Sequence, residues 1–195
     1  MQKSLAVLLL LVSSMLSAET ITFDIKVFGS KVGKMEVSHN KDADGTEVYT
    51  IESNSYIKFL WVSKTYQSHF EARFRDGIMI SSVHTEREGG KSKRWSTVKY
   101  DGHTYWVDSD KGKRNFTEAI TLSDISLYFS PDFKKLKRLF YLPDASFNDV
   151  KHTDKNTIEF KSADGHRNVY FFENGKMTQM EFHLAMATVY MTRVN

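Results

Sequence analysis

Two histidine–glutamate pairs carry the most chemistry this sequence offers. His69 stands two residues before Glu71, and His84 two before Glu86. Both stretches alternate with the period of a β-strand, so each pair projects from one face. An Asp76-Gly77 turn lies between them, and a simple hairpin centred there would set His69 opposite His84, within reach across the ladder. Two imidazoles and two carboxylates so placed could hold zinc or act as general acid and base. The same spacing also fits an outward polar row, continued by Gln67, Arg73 and Arg75, and a one-residue bulge would cancel the register. The four residues therefore stand as an alternative polar site, with no metal and no cofactor assigned.

Other catalytic signatures are missing. There is no G-x-S-x-G, H-E-x-x-H or Walker loop, and no cysteine for thiol chemistry or disulfides. Scattered carboxylates leave a glycosidase pair open, because such pairs are distant in sequence, but the balance is against an enzyme. Aromatic residues form a second candidate set. Trp61, Trp95 and Trp106, with Tyr56, Phe59 and Tyr105, fall near expected loops or strand ends. At a barrel mouth they could hold an acyl chain or stack on sugar rings; in most β proteins they are simply core. Basic residues at Lys91, Lys93, Arg94, Lys111, Lys113, Arg114 and within 134–138 could meet anionic head groups or acidic glycans. The formal charge is only +3, which is too small to argue for nucleic acid.

The elements that must position these groups are nearly all strands. Ile21, Phe23, Ile25 and Val27 alternate with Thr22, Asp24 and Lys26. Turn signals recur at 29–33, Asp44-Gly45, Asp76-Gly77, Gly89-Gly90, Asp101-Gly102, Asp164-Gly165 and Asn174-Gly175, the last being the strongest hairpin signal. About 11–12 strands follow, in an antiparallel meander that must curl into a barrel, half-barrel or β-spiral.

One stretch, 118–143, departs from this pattern. Leu122, Ile125 and Phe129 keep one helical face, Ser130-Pro131 suits a helix start, and Phe133, Leu136 and Phe140 keep a second face. A short helical insert at about 121–141 is expected. It would lie on the sheet as a lid or plug, with Leu122, Ile125, Tyr128, Phe129, Phe133, Leu136 and Phe140 turned inward.

The first 18 residues have the form of a cleaved secretory signal: Lys3, an apolar run over 5–12, and small residues up to Ala18. The apolar run is shorter than the roughly 20 residues a span needs. The expectation is an exported, periplasmic chain (or an extracellular one) with a single β-rich domain over 19–195 and no transmembrane segment in its mature form.

The opening FDIKVFGSKVGKMEV, the DISLYFSP segment and the closing IEFKSADGHRNVYFFENGKMTQMEF resemble an uncharacterised family of exported β-rich proteins from Gram-negative bacteria of the Bacteroidetes type. More distantly the chain is similar to periplasmic β-spiral proteins, and through them to lipoprotein-localisation carriers, half-barrels with a helical lid over an acyl-binding cavity. The resemblance implies a fold and a compartment and brings no catalytic residue with it. It points to a non-catalytic envelope protein that binds a hydrophobic or amphipathic ligand, or to an envelope-integrity factor with a protein partner. The ligand would meet the seven insert residues together with Trp61, Trp95 and Trp106. The alternative is a glycan-related enzyme or carbohydrate binder using the aromatic and His/Glu face.

Overall fold

The structure, a computed structural model, describes residues 18–59, 62–130 and 133–195. Residues 1–17 of the expected leader, Trp61 and the expected Pro131 helix start lie outside these. Eight strands run in succession from the start: β1 (Glu19–Val27), β2 (Ser30–Lys41), β3 (Glu47–Phe59), β4 (Val62–Arg75), β5 (Ile78–Glu88), β6 (Lys91–Tyr100), β7 (Tyr105–Ser109) and β8 (Gly112–Phe116). A small hairpin follows, β9 (Arg138–Tyr141) and β10 (Ser146–Asp149). The chain ends in β11 (Lys151–Asp154), β12 (Thr157–Lys161), β13 (Arg167–Glu173), β14 (Lys176–His183) and β15 (Thr188–Arg193).

All but β9 and β10 join one antiparallel sheet of 13 strands, in the order β11-β12-β13-β14-β15-β1-β2-β3-β4-β5-β6-β7-β8. The fold is mainly β, a single curved meander as expected, with slightly more strands than the 11–12 counted from turn signals. β1 pairs with both β2 and β15, so the first and last strands sit together in mid-sheet. The free edges are β8 and β11, and the sheet does not close.

Alternation explains which face is which. Ile21, Phe23, Ile25 and Val27 are all buried, while the residues between them are half-exposed. The tight turns follow local chemistry: Asn174 and Gly175 both have positive φ, 51° and 77°, as a two-residue hairpin turn requires. Gly33 serves differently. It is not a turn residue but lies within β2, opposite Ser55, where a Cβ would fall 2.1 Å from the Asn54 carbonyl oxygen.

Residues 117–130 and 133–150 fill the hollow of the sheet. Ile120, Ile125, Leu127, Phe133, Leu139, Phe140 and Leu142 are all at most 1% exposed and share one hydrophobic cluster with strands from both halves. This is the expected apolar wedge, but it is not the expected helix. It consists of three 3-10 turns (Ser126–Tyr128, Phe133–Lys135 and Leu142–Asp144) and the β9–β10 hairpin. Side chains compete with the helical backbone here. Ser126 Oγ donates to the Ser123 carbonyl at 2.9 Å and accepts from the Ser123 N–H at 3.0 Å. The Asp124 N–H then turns away to the Phe140 carbonyl, and the Phe140 N–H donates to the Leu122 carbonyl. The apolar residues that sequence spacing assigned to a helix face are buried because they pack into the hollow of a curved, open sheet.

Candidate functional site

The plug fills one end of the hollow solidly. Tyr105 stacks between Tyr100 and Phe116, at centroid distances of 4.5 and 5.1 Å, and Phe140 meets Phe147 edge-on at 5.3 Å. Toward the other end the inward side chains become small. Ser53 and Ser55 on β3 and Ser68 on β4 occupy positions where other strands carry large residues, and Ser53 and Ser68 bond to each other at 2.6 Å. The volume they leave is a cleft of about 540 Å³.

Its wall is apolar: Ile25, Met35, Ile51, Phe70, Phe182 and Met191 come from six different strands. Tyr128, Tyr141 and Pro143 of the plug, with Tyr170 of β13, form the floor beside Asp124. Charged residues gather where the cleft opens: Glu86, Arg87, Glu88, Lys93, Arg94 and Asp164. Most of these charges are already matched. Lys93 lies 2.9 Å from Glu88, which also pairs with Lys64.

A network of charges ties plug and sheet together beside this opening. The Asp144 side chain is 1% exposed and accepts from Arg94 at 2.7 Å and from Lys111 at 3.3 Å through one oxygen. Its other oxygen accepts from the Ala163 N–H at 2.7 Å. Lys111 reaches on to Asp164 at 3.0 Å, and Arg114 donates to the Ala145 carbonyl at 3.0 Å. Residues of β6, the β7–β8 turn, β8, the plug and the β12–β13 turn are thus held around one carboxylate, across the gap between the sheet's two edges. Burial works against the Arg94 charge, but Glu86 and Asp144 outweigh it and raise its pKa. Asp124 shows the opposite balance. Burial pushes its carboxyl up to about 7, although the Leu142 and Ile125 N–H groups favour its anion.

The four His/Glu residues do not assemble. The ladder from Asp76-Gly77 slips by one at a bulge between Arg73 and Phe74, so His84 faces Phe70, and His69 faces Thr85. His69 and Glu71 consequently lie on the outer face, where His69 Nδ1 meets Glu52 at 2.6 Å and Glu71 lies 3.5 Å from Arg73. His84 points inward, 0% exposed, against the Phe70 ring, with Nε2 3.2 Å from Glu86 but not aligned for a hydrogen bond. No group of three or more His, Cys, Asp or Glu among the described residues could hold a metal ion.

The expected aromatic set also divides. Trp95 alternates with the inward Arg94 and Ser96 and so lies on the outer face. Trp106 is 53% exposed, its Nε1 donating to Asp101 at 2.7 Å. Of the seven insert residues, Ile125, Tyr128, Phe133 and Phe140 are buried, and Leu122, Phe129 and Leu136 pack against the core at its margin. Only Tyr128 among them reaches the cleft. Residues that do border it, Tyr141, Tyr170 and Asp124, were not singled out as a ligand site from sequence, whereas Arg94 was named only within the basic set. The inward serines were the available signal, but only a known register shows that they point inward. The sheet edges offer little to a partner strand: β8 and β11 are 5 and 4 residues long and carry Lys113, Arg114, Lys151 and Asp154.

Comparison with known proteins supports the fold. Residues 23–194 match the model of a family described as a domain of unknown function, DUF6134. A crystal structure of a β-barrel-like protein of domain of unknown function DUF1849 from Brucella abortus aligns with a TM-score of 0.60 at 11% identity, over 92% of this chain and 96% of that one. No curated protein matches the sequence. No helix among the described residues is long and apolar enough to cross a membrane.

Proposed function

The chain belongs to the DUF6134 family of domains of unknown function, and from that membership and the geometry of its cleft we propose that it is a non-catalytic binder of an apolar or amphipathic molecule of the cell envelope. One observation carries this: a cleft of about 540 Å³ with an apolar wall, a tyrosine-lined floor and a charged opening. That volume falls within the range of roughly 300–1,000 Å³ typical of small-ligand sites. The secretory pattern of residues 1–18 supports export; the periplasmic, Gram-negative setting is what the family resemblance implies. Such a protein would hold an acyl chain or similar hydrocarbon against the wall contributed by β1–β4, β14 and β15. The glycan alternative keeps only His84 and Glu86 on the inner face, because His69 and Glu71 stand on the outer one.

Native mass spectrometry of protein purified gently from the periplasmic fraction tests the proposal, together with uptake of N-phenyl-1-naphthylamine by protein stripped of lipid. A co-purifying lipid mass and saturable probe fluorescence are expected. Bare protein that leaves the probe dark would end the binding hypothesis.

A further inference from the structure

The floor of the cleft is built for more than hydrocarbon. Tyr141 and Tyr170 are 7% and 2% exposed, and neither hydroxyl has a hydrogen-bond partner among the described residues. Neither hydroxyl is among the buried polar atoms sealed from the surface, so both open onto the cleft. The other buried tyrosines that pack inward are satisfied: Tyr128 donates to Met180 Sδ at 2.9 Å, and Tyr105 accepts from the Ile120 N–H at 3.2 Å. Two donors with no protein partner beside the same void are free to bond whatever fills it, water or ligand. Asp124 borders the same floor and is 6% exposed.

We infer that this floor is a subsite for an uncharged oxygen, a carbonyl or hydroxyl, at the inner end of an otherwise apolar ligand, with Tyr141 and Tyr170 as the donors. The inference rests on the cleft being a ligand site. No cation of the floor is free to meet an anionic end: Lys93 and Arg94 are engaged by Glu88 and Asp144, and Arg87 stands at the opening. The ligand therefore enters with its neutral oxygen first, its hydrocarbon against Ile25, Ile51, Phe70 and Met191, and its far end near the opening.

Displacement of N-phenyl-1-naphthylamine by 2-decanone and by decanoate, two chains of equal length, separates the possibilities. Wild-type protein should release the probe at a roughly tenfold lower concentration of ketone than of decanoate, the effect of two modest hydrogen bonds. The double variant Tyr141→Phe/Tyr170→Phe should lose that preference, whatever its own affinity for the probe, and its thermal unfolding midpoint serves as the folding control. Should the double variant fail to fold, Y141F and Y170F alone should each lose roughly threefold for the ketone. A ketone no better than decanoate, or phenylalanine variants that keep the preference, would overturn the subsite while leaving the cleft as a binding site. Absence of any probe uptake by wild-type protein would overturn both.

Discussion

The Arg94 guanidinium donates to the Asp144 carboxylate at 2.7 Å, and this contact joins the inner wall of the sheet to the plug that the sheet surrounds. The partners are 50 residues apart. Lys111, Asp164 and the Ala163 N–H meet at the same place, so an open 13-stranded sheet keeps its curvature without hydrogen bonds between its edges.

Removing the Asp144 carboxylate should therefore destabilise the whole molecule. Truncating one side of a buried pair leaves the other charges unmatched, at a cost of roughly 3–5 kcal/mol; partial exposure of Arg94 and Lys111 puts the expectation at the lower end, about 3 kcal/mol. The midpoint of urea unfolding of Asp144→Ala measures this. Asp42→Ala, which breaks an exposed 2.6 Å pair with Arg73, is the control and should cost less than about 1 kcal/mol. Equal losses in the two variants would show that Asp144 is not the keystone.

Gly33 is predicted to tolerate no side chain. Its added Cβ would fall 2.1 Å from the Asn54 carbonyl oxygen and 2.6 Å from Ser55 Cα, both backbone atoms of the paired strand. Gly33→Ala must push β2 from β3 at the end of their ladder, with a loss of about 2 kcal/mol or more. Thermal unfolding checks it, and a variant as stable as wild type would mean the strands part freely there.

Period-two alternation and the Asp-Gly and Asn-Gly turns made the meander legible, because both are local signals. Residues 121–141 misled for a physical reason. The Asp124 and Ser126 side chains bond to the backbone around them, and the spacing of Leu122, Ile125 and Phe129 reflects burial against a curved sheet more than a helical period. The extra strands were hidden in short polar runs such as β11, KHTD. The His69–His84 pairing failed because the bulge at Arg73/Phe74 leaves no mark in residue types. The cleft was harder still, since a void is defined by inward positions that stay small, and Ser53, Ser55 and Ser68 read as inward only after the register is fixed.

Asp124 gives the fold a defined pH dependence. Its folded value is raised from the ordinary 3.8 to about 7, chiefly by burial. Below the ordinary value both states carry the proton and nothing is lost. Between there and about pH 7 the unfolded chain releases the proton while the folded chain holds it, so stability falls as pH rises, by on the order of 4 kcal/mol in all. Asp124→Asn keeps an oxygen to accept from the Leu142 N–H and removes the titration. Urea midpoints at pH 5 and pH 8 should converge in the variant relative to wild type, with the variant the more stable at pH 8. Parallel declines in the two proteins would assign the pH dependence elsewhere.

Filling the cleft should abolish binding and spare the fold. Ser55 faces the void from β3, half-exposed, and its side chain bonds to no described neighbour, so replacing it removes no partner. A tryptophan there can extend over Ile57 and Tyr66 into space that no side chain occupies, and small-to-large changes are tolerated where a void already exists. Ser55→Trp is expected to melt within a few degrees of wild type and to lose N-phenyl-1-naphthylamine uptake at least tenfold. A Trp106→Ala variant, altered on the outer face, should bind as wild type does. If the outer-face variant loses the probe and the filled one keeps it, the ligand lies on the convex surface, and the void between sheet and plug is only a packing remnant.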